Sequence, residues 1–156
     1  MPNAKIGQVV ELVNKLSILG GQSDREGLAY ALGINKNSIG HPLKAAELVG
    51  LISLTSGEVK LTDIGNQFAQ GDEESKRKLF EETLSAVEPF ATILRAFRDR
   101  KGLNSAEVLN FVKAKIPAAR KWRPSTDKEI LKMIVNWFDY VGTRFTEQPT
   151  EMNQRH

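Results

Sequence analysis

The sequence contains no cysteine. That excludes disulfides, thiol nucleophiles and cysteine-based zinc sites, and it fits an intracellular protein. Only two histidines occur, His41 and His156, too few and too far apart in sequence for a multi-histidine metal site. No apolar run approaches the ~20 residues of a membrane-spanning helix. The opening MPNAKIGQVVEL lacks a signal-peptide pattern, so a cytoplasmic location without membrane insertion is expected. There is no glycine-rich phosphate loop, no Ser-His-Asp set and no helix with clustered metal carboxylates. The acidic runs at 72–74 and 81–82 read as solvated helix faces. A non-enzymatic protein with no cofactor is expected.

What remains is ordinary for a soluble globular chain. The 156 residues suit one domain or two small ones and can bury a core without staples. Hydrophobic residues make up 40% and charged residues 26%. The net charge of +3 permits nucleic-acid contact without demanding it. Basic and acidic residues balance up to Gln70. The basic excess lies beyond, mainly in 95–101 and 113–132.

Apolar spacing predicts an amphipathic helix over 5–19 (Ile6, Val9, Val10, Val13, Leu16, Leu19), stopped by Gly20-Gly21. Ser23 or Asp24 then caps a second helix that runs to Leu32, with Glu26 placed for a capping box with Ser23. Gly33 ends it, Ile34 plugs the turn, and Asn35 caps a third helix. Pro42 falls where the middle of that helix is expected and should bend or restart it. Leu43, Ala46, Leu48 and Val49 are its core-facing set. Residues 51–54 and 58–61 alternate as strands around a Thr55-Ser56-Gly57 turn. Helix, turn, helix and hairpin in this order make a winged helix-turn-helix.

Further on, Thr62 caps a short helix on which Ile64 and Phe68 pack back. A charged helix spans 73–87, and Pro89 opens another over 89–100. Ser105 starts a helix to Lys115, residues 116–124 form a basic loop, and Ser125 caps the last long helix. Its core positions are Ile130, Ile134, Trp137, Phe138 and Val141. A short strand is expected over 143–146. The fold class expected is mainly α: a winged helix with a small β-hairpin wing, then a helical second half. That half has the order of a degenerate second winged helix, since Lys44 to Gly50 and Asn136 to Gly142 both close a third helix on Val-Gly. The expected divisions are a winged-helix domain over 5–70, a helical domain over 72–147 and a flexible tail over 148–156.

Two stretches carry candidate binding chemistry. Asn35, Lys36, Asn37, Ser38, His41 and Lys44 are polar or basic side chains of the kind that meet base edges and phosphates in the major groove, and Lys60 in the wing can reach a neighbouring phosphate. In the later loop, Arg120, Lys121 and Arg123 flank Trp122, an interleaving that suits nucleic acid, with a surface loop whose Trp packs inward as the plainer alternative. Against DNA stand Pro42 and the neutral first half.

The chain resembles the AAA-associated C-terminal domain. The resemblance lies in ELVNKLSILGGQSDREGLAYALGI, in HPLKAAELVGLISLTSGEVKLTDIGNQFA, in SKRKLFEETLSAVEPFATILRAF and in the helix closing on NWFDYVG. Leu-Thr-x-x-Gly at 61–65 and the Trp137 helix end are its most recognisable parts, and Pro42 matches as well. That family is found on ATP-binding subunits of nitrate/sulfonate/taurine-type ABC transporters and as stand-alone prokaryotic proteins. The resemblance implies an all-helical winged-helix domain without catalytic residues. Third helices in the family are often acidic. INKNSIGHPLK departs from that, which keeps DNA in play. The leading expectation is therefore a DNA-binding transcriptional regulator acting on double-stranded DNA. The alternative is an interaction module that docks on an ATPase or transporter subunit. A homodimer through the first helix or the Trp137 helix is a third candidate.

Overall fold

Helix α1 (Ile6–Ile18) forms because Ile6, Val9, Leu12, Val13 and Leu16 recur at helical spacing and are all buried. The computed structural model describes residues 1–100 and 102–143. Gly20 and Gly21 end α1 at φ of +92° and +86°, a left-handed region that side chains disfavour. The chain then does something the sequence pattern did not suggest. Residues Gln22–Asp24 form a short strand, β1, rather than a plain connection. Asp24, not Ser23, caps α2 (Arg25–Leu32): its carboxylate accepts the Gly27 amide at 2.6 Å.

Helix α3 spans Gly40–Leu48. This corrects the expectation of a helix beginning at Asn35 and kinked at Pro42. Pro42 is the third residue of α3, in the first turn, where its missing N–H has no intrahelical partner to lose. Asn35 caps its own turn instead, accepting the Asn37 amide at 2.9 Å through its side chain and the Ser38 amide at 2.8 Å through its carbonyl. Pro42, Leu43, Ala45 and Ala46 are buried.

Strands β2 (Ile52–Thr55) and β3 (Glu58–Leu61) form the wing, joined by Ser56-Gly57 with φ of +49° and +80°. β3 is the central strand. It pairs antiparallel with β2 (Leu54 opposite Val59) and with β1 (Ser23 opposite Val59), giving the order β1-β3-β2. The result is mainly helical with a small three-stranded antiparallel sheet, a winged-helix-like arrangement.

Leu61 to Gly65 acts as a joint. The Thr62 amide donates to Leu51 O at 3.1 Å, and its hydroxyl donates to Gly50 O at 2.6 Å while accepting the Gly65 amide at 3.0 Å, which caps α4 (Asp63–Gln70). A Cβ on Gly65 would lie 1.8 Å from Leu51 O, so only glycine lets α4 approach that carbonyl. Phe68 is buried as expected, but Ile64 is 42% exposed and does not pack back. Beyond α4, Lys76 on α5 (Glu73–Ser85) is buried. Its ammonium donates to Gly71 O at 2.6 Å and Ala69 O at 3.3 Å and lies over the Phe68 ring, closing the C-terminal end of α4.

The chain divides into two compact units, Met1–Thr83 and Leu84–His156. In the second, α6 (Phe90–Arg100), α7 (Ser105–Lys115), a 3-10 turn (Pro117–Lys121) and α8 (Pro124–Tyr140) surround an aromatic core. Phe90 lies 5.3 Å from Trp137 and 6.4 Å from Phe138 between ring centroids, and all three are fully buried. α7 has the bounds expected of it, Ser105 to Lys115, with Asn104 as its cap in a capping box with Glu107. Two features of the next stretch differ from the sequence reading. The basic loop contains the 3-10 turn, and α8 starts at Pro124. The Val-Gly exits of α3 and α8 close alike, with Leu51 N bonded to Ala46 O and Thr143 N to Phe138 O. The same closure ends α1 and α2, so it is a common helix stop and does not by itself mark a repeat. The strand expected at 143–146, apart from Thr143, and the tail over 148–156 lie outside the described residues.

Candidate functional site

The first group of candidate residues is split over three pieces of the first unit. Asn35, Lys36, Asn37 and Ser38 sit in the exposed turn before α3 and not on the helix. His41 and Lys44 are on the outer face of α3, and Lys60 is on β3. Helical spacing leaves His41, Lys44 and Glu47 as the exposed face of α3, because Pro42, Leu43, Ala45 and Ala46 turn inward. That face carries one lysine and one glutamate. His41 is engaged: its Nδ1 accepts the Asn3 amide at 3.1 Å.

Several of the cations already face acids. Lys36 lies 3.5 Å from Glu26, both side chains largely exposed. Lys60 lies 3.9 Å from Glu58, which also accepts a hydrogen bond from Gln22. Exposed pairs of this kind contribute little to stability and can be exchanged for a phosphate. They do lower the positive potential that a phosphate backbone would meet.

The turn offers something that the sequence reading missed. Ile34 does not plug it. Ile34 is 39% exposed and, with Leu32, Pro42, Gln8 and Glu11, lines a cavity of about 160 Å³ between α1 and the α2–α3 turn. This is below the roughly 300–1,000 Å³ of small-molecule sites and nearer the size of one inserted side chain. Tyr30 on α2 is 89% exposed, and Ile18 at the end of α1 is 76% exposed. A sequence signal existed: Tyr30 falls outside the buried stripe of Leu28 and Ala29.

In the second unit, Arg120 and Lys121 belong to the 3-10 turn and Arg123 precedes α8; all three are exposed. Trp122 between them is half-buried and offers less than a full stacking face. Arg120 Nε donates to Lys113 O at 3.1 Å, and Lys113 pairs with Asp127 at 3.0 Å. Arg100 pairs with Glu107 at 2.6 Å and lies over the Phe111 ring, which uses one of the earlier basic residues locally. Lys101 lies outside the described residues. Trp137 is fully buried in the core of this unit, so the inner face of its helix has no surface to give a second copy.

Among the described residues, no three His, Asp or Glu side chains cluster as a metal site, and no helix is long and apolar enough to cross a membrane. A family model described as the C-terminal AAA-associated domain matches residues 27–144. The chain belongs to that family. The match to this AAA-associated domain takes in α3, the wing, the Leu61 to Gly65 joint and the Trp137 helix, the most recognisable parts of the resemblance, while most of ELVNKLSILGGQSDREGLAYALGI lies before the first matched residue. No curated protein and no solved structure matched the chain.

Proposed function

We propose that the protein is a non-enzymatic interaction module that docks on an ATPase subunit, of the kind its AAA-associated family is named for. One observation carries this reading. Beside the polar side chains of the α2–α3 turn lies a mainly apolar socket of Leu32, Ile34 and Pro42, closed by Gln8 and Glu11 of α1 and sized for a partner's side chain. The adjoining face of α3 has charges of both signs and a histidine already bonded to the backbone. Membership in a fold class that often binds DNA does not outweigh the site itself.

The test uses a purified ATP-binding subunit of an ABC-type transporter from the same organism. Co-elution with the full chain, lost on Ile34→Glu, is the expected result. No co-elution, together with a duplex-DNA mobility shift that Lys44→Glu abolishes, would overturn it. A second reading, a DNA-binding transcriptional regulator, is favoured by the exposed Lys121 and Arg123 beside Trp122. It requires a shift of duplex DNA that weakens steeply with salt and loses slope when these side chains are reversed in charge.

A further inference from the structure

We infer that the socket between α1 and the α2–α3 turn takes a lysine or arginine side chain of the docking partner. This rests on the docking reading above and names the group that enters. The cavity of about 160 Å³ is lined by three apolar side chains, Leu32, Ile34 and Pro42, and by Gln8 and Glu11 of α1. Residues 8 and 11 are close to one turn apart, so both look out from the same side of α1. Gln8 is already engaged, since its Oε1 accepts the Lys5 amide at 2.9 Å. Glu11 is exposed and makes no hydrogen bond or ion pair among the described residues.

The charge that lines the socket is of one sign. Among the described residues, Glu11 is the one charged side chain lining it. Lys5 and Lys15, on either side of Glu11 in sequence, do not line the cavity, and neither pairs with Glu11. Lys36, two residues beyond Ile34, lies 3.5 Å from Glu26. A partner seated in the socket takes water from Glu11, and a carboxylate covered without a counter-charge costs free energy. A purely apolar side chain would fill the wall of Leu32, Ile34 and Pro42 but incur that cost. A phosphate or a carboxylate would add repulsion to it. A long basic side chain suits both parts of the socket. Its methylene stem lies along the apolar wall, and its cationic head meets Glu11.

The probe is n-butylguanidinium, stem and cation in one molecule. It is titrated against the full chain at constant ionic strength while amide chemical shifts are followed. Saturable shifts are expected at Gln8, Glu11, Leu32 and Ile34. Affinity should fall about two- to fivefold in Glu11→Gln, the range of an exposed ion pair, and by at least that much in Ile34→Ser. Glu47→Gln, which removes an exposed carboxylate on α3, should leave it unchanged. All three positions are exposed, and circular dichroism checks that each variant is folded. Equally tight binding of n-pentanol or of pentanoate would overturn the inference. So would an affinity that Glu11→Gln leaves unchanged, or a dimer in light scattering that Ile34→Ser dissociates. Co-elution of the ATP-binding subunit should be lost in Glu11→Lys as in Ile34→Glu. Co-elution lost in Ile34→Glu but retained in Glu11→Lys would sink the basic side chain and leave the docking reading standing. Probe binding that depends on Glu11, without any co-elution, would leave the chemistry of the socket standing and sink the ATP-binding subunit as its partner.

Discussion

Residues 1–83 hold nine basic and eleven acidic side chains, while residues 84–156 hold thirteen and eight. The first unit has the helix-turn-helix and the three-stranded wing, yet its net charge is −2. The second has the positive charge, and its described residues contain no strand. Shape and charge, the two properties a DNA reader combines, are thus divided between the halves of one chain. The lesson is that a winged-helix outline is a scaffold, and that its surface must be read residue by residue before a ligand is assigned. The units also hold themselves together differently. The first adds to its aliphatic core backbone joints made by Thr62, Gly65 and Lys76. The second is centred on an aromatic cluster.

That contrast can be broken from the second side most sharply. Trp137→Ala should destabilise the second unit by about 3–5 kcal/mol, since a fully buried indole is removed from the ring cluster. Urea unfolding followed by the emission of the remaining tryptophan, Trp122, measures it. Gly65→Ala tests the first unit, and a loss of about 3 kcal/mol or more is expected because the new methyl meets a backbone carbonyl that cannot rotate away. Both tryptophans lie beyond residue 83, so the far-UV signal should respond more strongly than tryptophan emission in this variant. Lys76→Met keeps the length of the side chain but removes the donor to the Gly71 and Ala69 carbonyls. A loss of about 1–3 kcal/mol is expected, read from the same urea curves.

The smallest effect is on pH. The Ser75 amide and hydroxyl hold the Asp72 carboxyl below its ordinary value, and the Thr92 hydroxyl does the same for Glu88. A carboxyl depressed on folding contributes stability that is present above its unfolded pKa and lost as pH falls through its folded pKa. Thermal midpoints should therefore drop as pH falls from roughly 5 to below 3. Thr92→Val should flatten the part due to Glu88 and leave the part due to Asp72. An unchanged acid slope in Thr92→Val would remove Glu88 from the account.

Periodicity made most helices legible before any coordinates, because Val9, Leu12, Val13 and Leu16, or Ile130, Ile134 and Phe138, have no other way to share one side of a chain. The hairpin was equally legible from Ser56-Gly57. The strand Gln22–Asp24 was not, since three polar residues carry no alternation and their pairing depends on β3, more than thirty residues away. Pro42 was misread for a related reason. A proline in a helical pattern reads as an interruption until the true start of the helix, Gly40, is known. The exposure of Ile34 and Ile64 and the burial of Lys76 were out of reach because an isolated residue does not announce which neighbour covers it. That the candidate binding residues are polar and basic is the sequence itself. Their scatter over turn, helix and strand, and the acids beside Lys36 and Lys60, only distances could supply.

The joint at Leu61 to Gly65 also bears on the order in which the first unit assembles. It ties Thr62 and Gly65 to Gly50 and Leu51, closing a loop of only about 14 residues, for which the entropy cost is modest. The connection that follows α1 meets the wing across a far longer stretch, the Gly21 carbonyl accepting the Leu61 amide. We expect the wing and α4 to condense first as a local nucleus, with α1 laid onto a surface already made. Gly65 would then act on the rate of folding, while substitutions that only touch α1, such as Leu12→Ala, would act chiefly on the rate of unfolding.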